Sequence, residues 1–185
     1  MIETIESNTK IKMEKSVSLF AQELSKLRTG RATPALLDGI KVEYYGTTLP
    51  LNQVATISVP EPRLIIIQPW DKAALPEIEK ALFKSSIGLT PNNDGNVIRL
   101  SIPPLTTERR EELIKLTERL AEEAKVAIRN IRRDANNEIK KGEKEKKISE
   151  DQTFKTQDRI QKVTDEFIKK IDEVLHKKEK EIRET

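Results

Sequence analysis

The 185-residue sequence has no cysteine and one histidine, His176, and its aromatic side chains are one tryptophan, two tyrosines and four phenylalanines. Without cysteine there is no disulfide framework, thiolate zinc site, iron–sulfur cluster or cysteine nucleophile, and a cytoplasmic setting is expected. Long hydrophobic runs are missing too. The longest, residues 64–67, falls far short of the roughly 20 residues that span a bilayer, and residues 1–15 carry no apolar signal core. A soluble, unprocessed chain with no membrane partner is the expectation. Charge of one sign is lacking as well: 34 basic and 31 acidic residues leave a net charge of +3, although charged residues make up 35% of the chain. Phosphate-cradling signatures are absent, both Gly-x-x-x-x-Gly-Lys-Ser/Thr and Gly-x-Gly-x-x-Gly, which argues against an ATPase or a dehydrogenase. His176 sits four residues before Lys180 on a charged helix end, with no partner spaced for a metal or a nucleophile pair. Carboxylates alternate with Lys and Arg as solvated faces do. No catalytic constellation, metal site or cofactor site is read here, so an enzyme is not expected.

What is present is unevenly distributed. All nine prolines, four of the six glycines, the tryptophan and both tyrosines lie within residues 31–104. That segment holds seven basic and seven acidic residues, so the whole excess of +3 lies outside it. The pattern predicts an insertion: a small middle domain, residues 31–104, whose two ends join one helical body made of residues 1–30 and 105–185. Such a division suits the length, since domains commonly run about 100–150 residues.

In the helical body, Ile5, Met13, Val17, Phe20, Leu24 and Leu27 mark one face of an amphipathic helix. This helix is expected to end at Arg28-Thr29-Gly30, with the glycine left-handed at its C-terminus. A second opens at Thr106 or Thr107, behind Pro103-Pro104, with the stripe Leu113, Leu116, Leu120, Ala124, Ala127, Ile131 and Ala135. A third begins near Ser149 and carries Phe154, Ile160, Val163, Phe167, Ile171, Val174 and Ile182. The second and third are each on the order of 50 Å long. Stripes this narrow are buried most economically in an antiparallel three-helix bundle, with a coiled coil to another molecule as the rival.

In the middle segment, residues 40–45 alternate as a half-buried strand turning at Gly46, and residues 54–59 form a second strand. Pro60-Glu61-Pro62 turns the chain into residues 64–68, whose unbroken apolar character predicts burial on both faces. Residues 71–85 read as a helix with Pro76 in its first turn, Asn92-Asn93-Asp94-Gly95 as a turn, and residues 97–102 as a returning strand. The expected fold class is α+β. The two short connections around Thr29, Gly30, Arg31 and around Pro103, Pro104 read as a hinge.

One charge cluster stands out. Lys125, Arg129, Arg132, Arg133 and Lys140 fall, at 100° per residue, within an arc of roughly 100° on the second helix, with Asn136 inside it. The arc is centred about 150° from the stripe of Ala124, Ile131 and Ala135 and so is expected to face away from the core. Guanidinium forks suit phosphate oxygens, and the opposing apolar stripe is needed for the bundle, so structured RNA is favoured over a membrane. Without aromatics beside the arginines, base stacking on single strands is not expected.

Leu27-Arg28-Thr29-Gly30-Arg31-Ala32-Thr33-Pro34, Val42-Glu43-Tyr44-Tyr45-Gly46, Gln68-Pro69-Trp70-Asp71, Asn93-Asp94-Gly95-Asn96-Val97-Ile98-Arg99-Leu100 and Ala127-Ile128-Arg129-Asn130-Ile131-Arg132-Arg133, in this order, closely resemble the ribosome recycling factors of bacteria and organelles. The resemblance implies an L-shaped molecule with a tRNA-like outline, a long three-helix bundle and a β/α/β domain inserted after the first helix. It implies a non-catalytic, monomeric factor that binds the post-termination ribosome across the subunit interface, chiefly through large-subunit RNA. With elongation factor G, which binds and hydrolyses the GTP, such a factor splits the ribosome into subunits and releases mRNA and tRNA; no DNA, membrane or cofactor of its own is implied. Carried over by position, the ribosomal-RNA contacts are Arg132, with Arg129 and Arg133 beside it, and the flanking Arg28 and Arg31; Lys125 joins them from the helical wheel. A general RNA-binding module and a coiled-coil adaptor are the readings from other classes.

Overall fold

Four α-helices, three short 3-10 helices and six strands make up the computed structural model, which describes all 185 residues. The chain divides into a helical unit, Met1–Arg28 with Thr107–Glu184, and a β-rich unit, Thr29–Thr106.

The helical unit is built from α1 (Ile2–Ser25), α3 (Thr107–Lys144) and α4 (Glu150–Glu184), each packed on the other two. A helix with one apolar stripe gains little alone; three of them remove their stripes from water together, at roughly 1.5–3 kcal/mol for each large side chain fully buried. Met13, Phe20, Leu24, Ala121, Ile128, Phe167 and Ile171 form one core cluster, and Ile5, Ala135, Ile139, Ile148 and Ile160 a second. Threonines fill the gaps. Thr9 donates to the Ile5 carbonyl at 2.6 Å, Thr117 to Ile114 at 2.7 Å and Thr164 to Ile160 at 2.7 Å, so each hydroxyl is satisfied by its own helix and its methyl packs like that of valine.

The end of α3 and the start of α4 are both capped. Lys146 takes a left-handed φ of 57°; the Lys147 N–H reaches the Gly142 carbonyl at 2.9 Å and the Lys146 N–H the Glu143 carbonyl at 2.9 Å, the two bonds of a Schellman motif. Gly142 is inside α3, where a Cβ would lie 2.7 Å from the Ile148 Cδ1. At the start of α4, the Gln152 N–H donates to the Ser149 hydroxyl at 3.2 Å while the Ser149 N–H donates to the Gln152 side chain at 3.0 Å, a reciprocal capping box.

In the β-rich unit, β1 (Lys41–Tyr44) and β2 (Thr47–Pro50) form a hairpin with Val42 opposite Leu49. Tyr45 at φ 48° and Gly46 at φ 78° supply the two left-handed residues of a type I′ turn. The second sheet has the antiparallel order β3-β4-β6-β5, from β3 (Ala55–Glu61), β4 (Leu64–Pro69), β5 (Pro91–Asn93) and β6 (Ile98–Ser101). Helix α2 (Leu75–Lys84) carries Pro76 in its first turn. Ile65, Ile67, Ile98 and Leu100 pack with Ile78 and Leu82 of α2 and with Val42 into one core.

Four expectations need correction. Helix α1 ends at Ser25, with Lys26 still right-handed, so Gly30, at φ 75°, is left-handed beyond the helix rather than as its cap. Strand β4 alternates instead of being buried on both faces: Ile65 and Ile67 are inside, Leu64 and Ile66 only half-buried. Phe154 is 74% exposed and is no part of the α4 core. The turn expected over Asn92-Asn93-Asp94-Gly95 starts later, since Asn92 and Asn93 pair with Arg99 and Ile98 as part of β5; β2 and β5, short and centred on Thr and Asn residues, have no hydrophobic pattern from which to read them.

Candidate nucleic-acid interface

Setting the angle of Ile128 on α3 to zero, the fully buried residues Leu113, Thr117, Ala121, Ala135, Ile139 and Gly142 lie close around it. Measured from the middle of this line, Arg132 sits at roughly 55°, Lys125 at 75°, Arg129 at 115° and Arg133 at 155°. The expected stripe of Leu116, Leu120, Ala124, Ala127 and Ile131 is half-buried and flanks that line on the other side. The basic arc therefore does not face away from the core as a whole. It runs from the edge of the core to open solvent, because the centre of the buried face follows Leu113, Thr117, Ala121, Ile128, Ala135, Ile139 and Gly142, of which the expected stripe held only Leu113 and Ala135.

The four basic side chains are consequently held in different ways. Lys125, whose side chain is 19% exposed, ion-pairs with Asp172 of α4 at 2.5 Å. Half-buried Arg132 donates from Nη1 to Oε1 of Gln161 on α4 at 2.9 Å, and Gln161 Nε2 donates to Oδ1 of Asp165 at 2.8 Å. Exposed Arg129 pairs within its own helix with Glu122 at 2.9 Å, and exposed Arg133 donates to the Asn130 side chain. Exposed pairs of this kind contribute only about 0–1 kcal/mol, so they yield readily to a phosphate. Arg132 keeps further N–H groups beyond the one it gives to Gln161. Chemically, the surface offers guanidinium donors for anionic oxygens.

Arg28 follows α1 in the helical unit and is exposed; Arg31 belongs to the β-rich unit and is also exposed. Thr29 is buried and Pro103 and Pro104 are exposed. Of the expected contact residues, the structure brings Lys125, Arg129, Arg132 and Arg133 onto one helix. Gln161, Asp165 and Asp172 escaped the sequence reading: pairing across two helices leaves no trace in the periodicity of either. His176 is exposed on α4, and no helix is long and apolar enough to cross a membrane.

A second polar cluster lies in the β-rich unit. The Asp71 carboxylate accepts from the Ala73 N–H at 2.9 Å, the Tyr44 hydroxyl at 3.0 Å and the Tyr45 hydroxyl at 3.3 Å. The Ala73 N–H, then the Tyr44 hydroxyl, hold the Asp71 carboxyl below its ordinary range, and donation to Asp71 pushes the Tyr44 hydroxyl up. Asp94 accepts from the Val97 and Asn96 N–H groups, each at 2.9 Å, and from Arg99. These bonds, in that order, hold its carboxyl down at about 2.

The chain thus pairs a bundle of long helices with a small antiparallel β unit, an α+β protein that carries a graded arginine face on its longest helix. The sequence pattern of one family, described as "Ribosome recycling factor", matches residues 20–182. Ribosome-recycling factors of Carboxydothermus hydrogenoformans and Natranaerobius thermophilus are 59% and 57% identical, each alignment covering 98% of this chain and 98% of the relative. A solution structure of the ribosome recycling factor is similar at a TM-score of 0.73 and 45% identity, over 100% of this chain and 98% of that one. A chain in models of the T. thermophilus ribosome recycling factor and the E. coli elongation factor G bound to the E. coli post-termination complex matches at a TM-score of 0.62 and 49% identity, over 98% of both chains. The chain belongs to the ribosome recycling factor family. Members of that family are translation factors rather than enzymes and require no cofactor of their own.

Proposed function

We propose that this chain acts in the cytoplasm as a monomer, binds the post-termination ribosome at the subunit interface, and with elongation factor G splits it into subunits, freeing mRNA and tRNA. GTP is bound and hydrolysed by the partner. The observation that carries the reading is family membership across nearly the whole chain, joined to Arg129, Arg132 and Arg133 on α3, which bond to one exposed carboxylate and two neutral amides.

In this reading Arg132, Arg129 and Arg133 contact phosphates of large-subunit RNA, with Lys125 adding charge from the helix seam and Arg28 and Arg31 contributing beside Gly30. Residues 1–30 and 105–185 act as the anchoring domain and residues 31–104 as the inserted domain. Thr29, Gly30, Arg31, Pro103 and Pro104 form the hinge on which elongation factor G acts. Support for a hinge comes from Gly30, whose left-handed φ of 75° a side chain would resist, and from two prolines that exclude helix just before α3.

The test is co-sedimentation with vacant ribosomes and isolated large subunits over a range of salt, comparing the native chain with an Arg129→Ala, Arg132→Ala, Arg133→Ala variant. Each lost phosphate contact removes about 0.7–0.9 from the slope of log affinity against log salt, so three should flatten it by about two to three. Equal binding by both would place the anchor elsewhere on the chain; no binding by the native protein would overturn the reading in favour of a protein-binding adaptor.

A further inference from the structure

Arg132 is unlike its neighbours in where its hydrogen-bond partner comes from. Arg129 and Arg133 find acceptors on α3 itself, in Glu122 and Asn130. Arg132 bonds to none there: of the residues one turn before and after it, Ile128, Arg129, Ala135 and Asn136, only Asn136 carries a side-chain acceptor, and Arg132 reaches instead to Gln161 of α4. A primary amide can present either its oxygen or its nitrogen, and only the oxygen can receive a guanidinium. The bond from Gln161 Nε2 to Asp165 Oδ1 at 2.8 Å decides this, since the nitrogen is already committed one turn along α4. Gln161, Asp165 and Asp172 lie within roughly 40° of one another on α4, along the α3 seam that holds Arg132 and Lys125.

We propose that Gln161, oriented by Asp165, is a positioning residue that pre-sets the Arg132 guanidinium for an RNA phosphate. This rests on the assignment of Arg132 as a phosphate contact. The relay is suited to positioning because it ends in a neutral amide: Gln161 restrains the arginine without neutralising it, whereas a carboxylate in that place would compete with the phosphate. Immobilising a flexible arginine is a cost that binding otherwise meets at the moment of contact. With the side chain already held, that cost is borne by folding, and the remaining N–H groups present a fixed fork.

The experiment measures affinity for isolated large ribosomal subunits across salt for the native chain, Gln161→Met, Arg132→Ala and the double variant, with thermal unfolding of each as the check on folding. Gln161→Met, nearly isosteric and equally uncharged, should weaken binding by about three- to tenfold and leave the salt slope unchanged, because no charge is lost. In the Arg132→Ala background the same substitution should have no further effect. Asp165→Asn keeps an oxygen for Gln161 and should bind at least as tightly as the native chain. An equal loss from Gln161→Met in both backgrounds, or none in the native one while Arg132→Ala does weaken binding, overturns the relay and spares the site. If Arg132→Ala changes neither affinity nor slope, the phosphate contact fails and the relay falls with it.

Discussion

Two residues carry effects that follow from their own backbone and hydrogen bonds. Gly30 is left-handed, and a Cβ placed on it would lie 3.0 Å from the Leu105 Cγ. Valine there meets both the roughly 1–2 kcal/mol of left-handed strain and a crowded neighbour. Gly30→Val should lower the melting temperature by about 3–6 °C, and Gly30→Asn by less, since asparagine tolerates this region; equal stability of all three would remove the constraint. Asp94, held at about 2 against the ordinary 3.8, has a depressed folded-state value. Its contribution to stability is therefore complete above about pH 4 and lost as pH falls towards 2. A carboxyl titration followed by NMR should place its midpoint near 2, and Asp94→Asn should lose the corresponding part of the acid dependence; a midpoint near 3.8 would show that the turn does not hold the carboxylate.

Among the elements, the α3–α4 connection shows local rules overriding composition. The run Lys140-Lys141-Gly142-Glu143-Lys144 contains the end of α3, at Lys144. Gly142 itself stays helical against Ile148, and the left-handed position falls on Lys146. Lysine is a poor resident of that conformation. Lys146→Gly should stabilise the protein by about 0.5–1 kcal/mol in chemical denaturation, unless removal of the lysine charge from this basic corner matters more, in which case Lys146→Ala would show the same change. The start of α4, by contrast, is written directly in Ser149 and Gln152. So is the start of α3 at Thr107, because prolines and caps act within a few residues of themselves.

For the whole molecule, the charge balance conceals what matters. A net +3 over 185 residues gives little long-range pull on RNA; the proposed anchor works through a few arginines concentrated on one part of α3. Binding should then depend on salt through those contacts, and the triple-alanine variant described above is the measurement that separates a local anchor from a diffuse basic field. Membership of the ribosome recycling factor family supports the proposal that these arginines meet large-subunit RNA.

Helix periodicity, proline and glycine punctuation, capping residues and the ordered motifs from Leu27 to Arg133 were legible in the amino-acid order alone, because each depends on neighbours within about one turn. From them follow the α+β class, the three long helices and the family. Tertiary packing decided the rest. Thr117, Thr156 and Thr164 are fully buried because facing helices leave room there and their hydroxyls find partners, while Phe154, similar in hydrophobicity to Phe167, is left exposed because no helix covers it. The arginine face was turned by the same cause: Arg132 and Lys125 lie at a seam that exists only once α4 is beside α3. A single helix specifies the angle between its own residues, but which of those angles points inward is set by the helices that pack against it.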